Sequence, residues 1–282
     1  MRFPAVAGSF YPANERQLRK MVEDALEFGR SKAKSSMKYY GGIVPHAGYI
    51  FSAKVAGVTF AALEERIKKA ETAVLIGPNH YGLGSIISLS LEDWQTPLGV
   101  IKNNTELGKR IQEEGEYIDF DEEGHRREHS IEVQVPFLQS INPKIKIVPI
   151  TMMEQGFDFA EDVGTALYRA VENENVVVIA STDLNHYVPA ENAVVVDGIA
   201  IKGIETNDAR KFIETVEKNE LSVCGVGPVA ALLIYSKLLD CKIKFLHYAN
   251  SGEAKVPGYD VGSEGVVGYG SFVIETQGRS FD

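Results

Sequence analysis

Cysteine is scarce in this 282-residue chain, with only Cys224 and Cys241 present. Two thiols cannot staple a chain of this length into a disulfide scaffold, and a reduced, cytoplasmic protein is the expectation. No apolar run approaches the ~20 residues that span a bilayer. The opening MRFPAVAGSFYPAN has no charged segment leading into an apolar stretch of secretory length, so no membrane partner is expected. Positive charge is also short: 29 Lys and Arg against 39 Asp and Glu leave a formal net charge of −10. Such a surface repels phosphate backbones, which argues against nucleic acid. Pro/Ser-rich linkers, low-complexity tracts and internal repeats are missing as well, so residues 1–282 read as one domain.

What is present is an alternation of strand-like and helix-like segments. Asn14 is placed to cap a helix over Glu15–Lys32, with Leu18, Met21, Val22, Ala25 and Leu26 along one face. YYGGIVP, TAVLIG, SIISLSL and IKIVPITMM read as strands, and SAKVAGVTFAALEERIKKA and DFAEDVGTALYRAVE as helices, with another near Thr105–Glu114. NVVVIAST, β-branched and apolar on both faces, suits a central strand covered by helices. Helices follow over Ala190–Glu205 and Asn207–Asn219 and in GPVAALLIYSKLLD, with Pro228 in the first turn. CKIKFLHYA and VVGYGSFVIE close the chain as strands, the second alternating as a sheet edge would. The pattern predicts an α/β fold, a layered, mixed, largely parallel sheet flanked by helices.

Histidine is rare too, six in all, and three histidines stand just beyond the ends of apolar strands. GGIVPHAGY ends on His46, VLIGPNHYG on His80, and VVVIASTDLNHY on Asp183 and His186. Loops from several strands converge at the carboxyl edge of such a sheet, where ligands bind. Imidazole there can ligate a transition metal or move a proton near neutral pH. The other histidines divide. GHRREHSIEVQVPFL holds His125, expected in solvent, and His129, with Glu132 three residues on. On a helical turn these two either line the site or form a surface ion pair, the simpler reading. The acidic run EEGEYIDFDEEGHRRE before them is expected on a solvated face. His247, in KFLHYAN, reads as an ordinary strand residue. Cys224, directly before a helix, is either a small buried hydrophobe or a thiol whose pKa the helix N-terminus lowers. Cys241 reads as core.

AGSFYP, PHAGY, GPNH, EHSIEVQVPFL, STDLNHY and CGVGPV occur in this order from residue 7 onward. Together they resemble the Memo family, whose fold is shared with the class III extradiol ring-cleaving dioxygenases. The resemblance implies His46, His80 and Cys224 as metal ligands, and His186 as an acid/base with Asp183 beside it. It carries His129 and Glu132 over as site-lining residues. Those dioxygenases hold Fe(II) with two histidines and a carboxylate; a thiolate in the third position extends the choice to copper or zinc and makes ring cleavage a poor fit. A metal-dependent oxidoreductase using iron or copper on a small molecule is the first expectation. The alternatives are an interaction protein binding a peptide or metal on an enzyme-derived scaffold, as animal members of the family are associated with signalling, and a zinc hydrolase. In prokaryotes the resemblance also implies association with a radical enzyme.

Overall fold

The computed structural model describes residues 1–172, 174–254 and 265–277. Its elements run, in chain order, α1 (Glu15–Lys32), β1 (Tyr39–Val44), α2 (Tyr49–Ala62), α3 (Glu64–Lys69), β2 (Thr72–Pro78), β3 (Ile87–Leu89), β4 (Trp94–Thr96), β5 (Gly99–Ile101), α4 (Thr105–Glu114) and β6 (Ile118–Phe120). They continue as α5 (Glu123–Arg126), α6 (Val135–Ile141), β7 (Lys146–Met152), α7 (Phe157–Ala170), β8 (Val176–Ser181), α8 (Ala190–Glu205), α9 (Ala209–Lys218), α10 (Val226–Leu238), β9 (Cys241–Asn250) and β10 (Gly268–Thr276). Among the described residues eight strands form one sheet in the order β6-β3-β7-β2-β8-β1-β10-β9, and β4 and β5 make a separate hairpin. The central four, β7, β2, β8 and β1, are parallel to one another. β3, β10 and β9 each run antiparallel to a neighbour.

Alternation along the strands sets the layers, because successive side chains point to opposite faces. Val74 and Ile76 of β2 and Val176, Val178 and Ala180 of β8 pack towards α4, α7, α8, α9 and α10. Ala73 and Leu75 of β2 and Val177 and Ile179 of β8 pack towards α1, α2, α3 and α6. A sheet covered on both faces leaves its carboxyl edge for chemistry. The long helices start where local signals place them, Asn14 accepting from Gln17 N–H at the head of α1. Among the described residues no helix is long and apolar enough to cross a membrane.

Four expectations are corrected. SAKVAGVTFAALEERIKKA is two helices, breaking at Leu63. SIISLSL is strand only over Ile87–Leu89. The closing strand β10 is not an edge: it lies between β1 and β9, buried over Gly268–Ile274. β9 takes the edge, with Lys242 and Lys244 exposed along it, and charge there discourages pairing with another chain. The acidic run before His129 is not wholly solvated, for its last residue, Glu128, is only 2% exposed.

Candidate functional site

β2, β8 and β1 are neighbours in the sheet, so the loops leaving their carboxyl ends meet. His46 follows β1, His80 follows β2, and Asp183 and His186 follow β8. One ligand atom from each of His46, His80 and Cys224 falls within 4.8 Å of the other two. The rings of His46 and His80 meet edge to face at 5.1 Å.

The hydrogen bonds around His46 decide which of its nitrogens is free. Ser181 Oγ donates to the Ser130 carbonyl (2.8 Å) and receives Gln134 Nε2 (3.2 Å). With its proton committed, Ser181 Oγ accepts from His46 Nδ1–H at 2.8 Å. His46 Nε2 is left as a lone pair, and the Cys224 sulfur lies 3.1 Å from it. His46 N–H donates to Asp183 Oδ1 (2.8 Å), which holds the turn after β1 against the turn after β8. Burial, with His80, His129 and His186 nearby, keeps the His46 imidazole neutral, well below its usual pKa.

His80 is held by Glu128. Its N–H donates to Oε2 (2.6 Å) and its Nδ1 lies 2.9 Å from Oε1. Glu128 also accepts the N–H groups of His129 (2.9 Å) and Ser130 (2.8 Å). Burial alone would raise this carboxyl; the His80 hydrogen bond, the nearby His80 and His129 rings and the Ser130 N–H outweigh it and carry it down to about 2. An ionised carboxylate only accepts, so His80 Nδ1 carries the proton and Nε2 is the lone pair. Gly77 brings the end of β2 close to this segment, since a Cβ there would run into Ser130 Oγ. His80, Glu128 and His129 form a second group with ligand atoms in metal-binding range. In Glu128, however, both oxygens are occupied by these donors.

His129 stacks on His80 with ring centres 4.6 Å apart and is covered on another side by Phe10, also at 4.6 Å. Burial takes its imidazole down to about 4 against the pull of Glu128. Glu132 does not pair with it on a helical turn or at the surface. Fully buried, Glu132 accepts Arg2 Nη1 (2.7 Å), Tyr11 Oη–H (2.5 Å) and the N–H groups of Ala5 (2.8 Å) and Val6 (3.1 Å), which fastens the N-terminal segment. His125 is not in solvent: it is wholly buried, donates Nε2–H to the Ser88 carbonyl (2.9 Å), and is held down to about 3 by burial.

Cys224 sits two residues ahead of α10, with Gly225 between, and the Gly225 and Gly227 N–H groups go to Thr182 Oγ1 and Gln155 Oε1 rather than reach its sulfur. The N–H of Asp183 does, at 3.2 Å. Burial and the charge of Asp183 push the thiol pKa up, the reverse of the lowering expected from a helix N-terminus. Burial likewise raises the Asp183 carboxyl. His186 is half-buried, donates N–H to Ser222 Oγ (2.8 Å) and Nδ1–H to the Ser222 carbonyl (2.8 Å), and is near enough to act electrostatically on His46 and Asp183. It is not within ligating range of the His46–His80–Cys224 group. His247 is half-buried in β9 and Cys241 is buried at that strand's start.

Sequence reasoning missed Glu128, Ser181 and Ser222. Glu128 sits directly before His129, and Ser181 opens STDLNHY, so adjacency marked both; nothing local marks Ser222, which meets His186 across 36 residues.

A family profile described as Memo-like protein matches residues 2–273. A MEMO1 family protein of Methanosarcina acetivorans is 42% identical, covering 98% of this chain and 99% of its own. Others from Methanocaldococcus jannaschii and Saccharolobus solfataricus are 39% and 38% identical, over 98% and 95% of this chain and 99% and 97% of theirs.

Proposed function

The chain belongs to the Memo family, and on that premise we propose that His46, His80 and Cys224 hold one redox-active transition ion, iron or copper, with His186 moving a proton for a small-molecule substrate at the carboxyl edge of the sheet. The observation that carries this reading is the aim of the lone pairs. Two separate acceptors, Ser181 Oγ and the Glu128 carboxylate, take the Nδ1 protons of His46 and His80 and leave both Nε2 atoms free beside one sulfur. A hydrogen bond on the far nitrogen is how ligating imidazoles are oriented and made more basic. Two imidazoles and a thiolate suit iron, copper or zinc better than magnesium or calcium.

When bound, such an ion would supply Lewis acidity and one-electron exchange. The protein's own groups do the rest. The Cys224 thiol gives up a proton on becoming a ligand, so uptake of metal should weaken as pH falls. His186 has Nδ1–H anchored on a carbonyl and Nε2 as a free base. Asp183, its carboxyl raised by burial, retains a proton to higher pH than a surface carboxyl and is the natural partner for that base.

Elemental analysis of protein purified without added metal tests the proposal. About one iron or copper per chain is expected, lost in His46→Ala, His80→Ala and Cys224→Ser and kept in His186→Gln, as a ligand set of this kind requires. Zinc alone would sink the redox reading, and metal retained without Cys224 would sink the site.

A further inference from the structure

The loop that carries His186 is tied down by a buried carboxylate on the far side. Asp197 lies on α8, 1% exposed, and no cation pairs with it among the described residues. Oδ1 accepts both the backbone N–H (2.9 Å) and the side-chain Nδ2–H (3.0 Å) of Asn185, and Oδ2 accepts the Tyr248 hydroxyl (2.7 Å). With its amide donor committed to Asp197, Asn185 presents Oδ1 to the N–H of Ser222 (2.9 Å). Ser222 in turn takes the backbone N–H and the Nδ1–H of His186, each at 2.8 Å. The backbone closes the same way: Leu184 N–H donates to the Gly268 carbonyl and Gly268 N–H to the Asn185 carbonyl. A Cβ at Gly268 would run into the Asp197 carboxylate, so the start of β10 is shaped around it.

An unpaired buried carboxylate is costly to keep, and its hydrogen bonds are what make it tolerable. Here one branch runs from α8 through Asn185 and Ser222 to the imidazole, and the other goes to Tyr248 on β9. We infer that Asp197 is a positioning residue for His186, fixing through Asn185 and Ser222 the tautomer in which Nδ1 is protonated and Nε2 is the free base. The inference rests on the reading of His186 as the group that moves a proton, but its test does not.

The measurement is the neutral tautomer of His186 in the full chain, read by long-range proton–nitrogen correlation and assigned by loss of the signal in His186→Gln. Wild type should show Nδ1–H alone. Asp197→Asn keeps the size of the side chain but removes the charge and one of the two acceptor oxygens, so Asn185 is held by a weaker, neutral acceptor at best. The ratio of Nδ1–H to Nε2–H forms should fall roughly tenfold. Zinc(II) affinity at His46, His80 and Cys224, by competition titration, should move less than about threefold, as expected of a separate network. Should Asp197→Asn not fold, Tyr248→Phe removes one of the donors to Asp197 from the far side and should shift the ratio about two- to threefold. An unchanged single tautomer in whichever variant folds overturns the inference. So does a wild type without the Nδ1–H form, or a shift accompanied by loss of zinc affinity, which would mean that the whole edge had loosened. Loss of zinc in His46→Ala with the His186 signal intact bears on the metal reading alone.

Discussion

His80 and His186 are held by the same device with different chemistry. In each, one residue takes both the backbone N–H and the Nδ1–H: Glu128 for His80, Ser222 for His186. Glu128 is a buried, ionised carboxylate, and Ser222 offers a neutral hydroxyl and a carbonyl. A charged acceptor behind an imidazole strengthens its other nitrogen as a donor to a cation; a neutral one orients the ring without adding charge behind it. The two imidazoles therefore sit against different acceptors, though both follow a central strand and look alike in sequence.

The largest expected effect comes from the fastening behind Glu128, which includes a buried cation, whereas the Asp197–Asn185 network behind Ser222 has none among the described residues. Arg2 donates to the Glu128 carbonyl and the His125 carbonyl and pairs with Glu132. Arg2→Met leaves Glu132 as a buried charge without a cation and should cost about 3–5 kcal/mol in denaturant unfolding. Little change would mean that the N-terminal segment does not brace this side of the site.

Glu128→Gln goes to the comparison itself. Removing the charge while keeping the shape should weaken metal binding about 10–100-fold in competition titrations. If Ser222→Ala matches that loss, the charged and neutral clamps are equivalent and the division of labour fails.

A third expectation concerns pH. His125 titrates near 3 when folded and near 6.5 when unfolded, so between those values the unfolded chain binds more protons. Stability from the neutral imidazole is complete above the unfolded value and is lost as pH falls towards the folded one. His125→Gln should therefore be less stable than wild type at pH 7, and the gap in unfolding free energy should narrow by about 1 kcal/mol per unit below pH 6.5. A gap that stays constant would place His125 in contact with water. The smallest effect belongs to Ser222→Ala, which removes one acceptor from His186 and should cost about 1 kcal/mol with metal affinity changed less than about threefold.

Much of this arrangement was legible beforehand. Helix α1 starts and stops where Asn14 and the amphipathic stripe place it, and β8 reads as a central strand because its side chains are apolar on both faces. His46, His80 and His186 stood out because each follows such a strand. The segment 122–134 was not legible: it is a short helix, an irregular turn and a 3-10 turn, with no period to show which side chains turn inward. His125 and His129, four residues apart, would share a face on a helix, but one is locked against Ser88 and the other stacks on His80. For Cys224, position before a helix suggested a lowered pKa, and the neighbouring Asp183 and burial reversed it.

The chain on its own determined the elements and the identity of the chemical groups at their ends, because capping, hydrophobic period and turn residues act over a few positions. It also determined, through the order of its short motifs, the family to which it belongs. Only the tertiary structure decided which acceptor stands behind each imidazole, hence which nitrogen is free, and whether each charge is solvated or enclosed. Those properties depend on contacts between residues 36 to 178 positions apart, from Ser222 on His186 to Cys224 beside His46, and no local pattern encodes them.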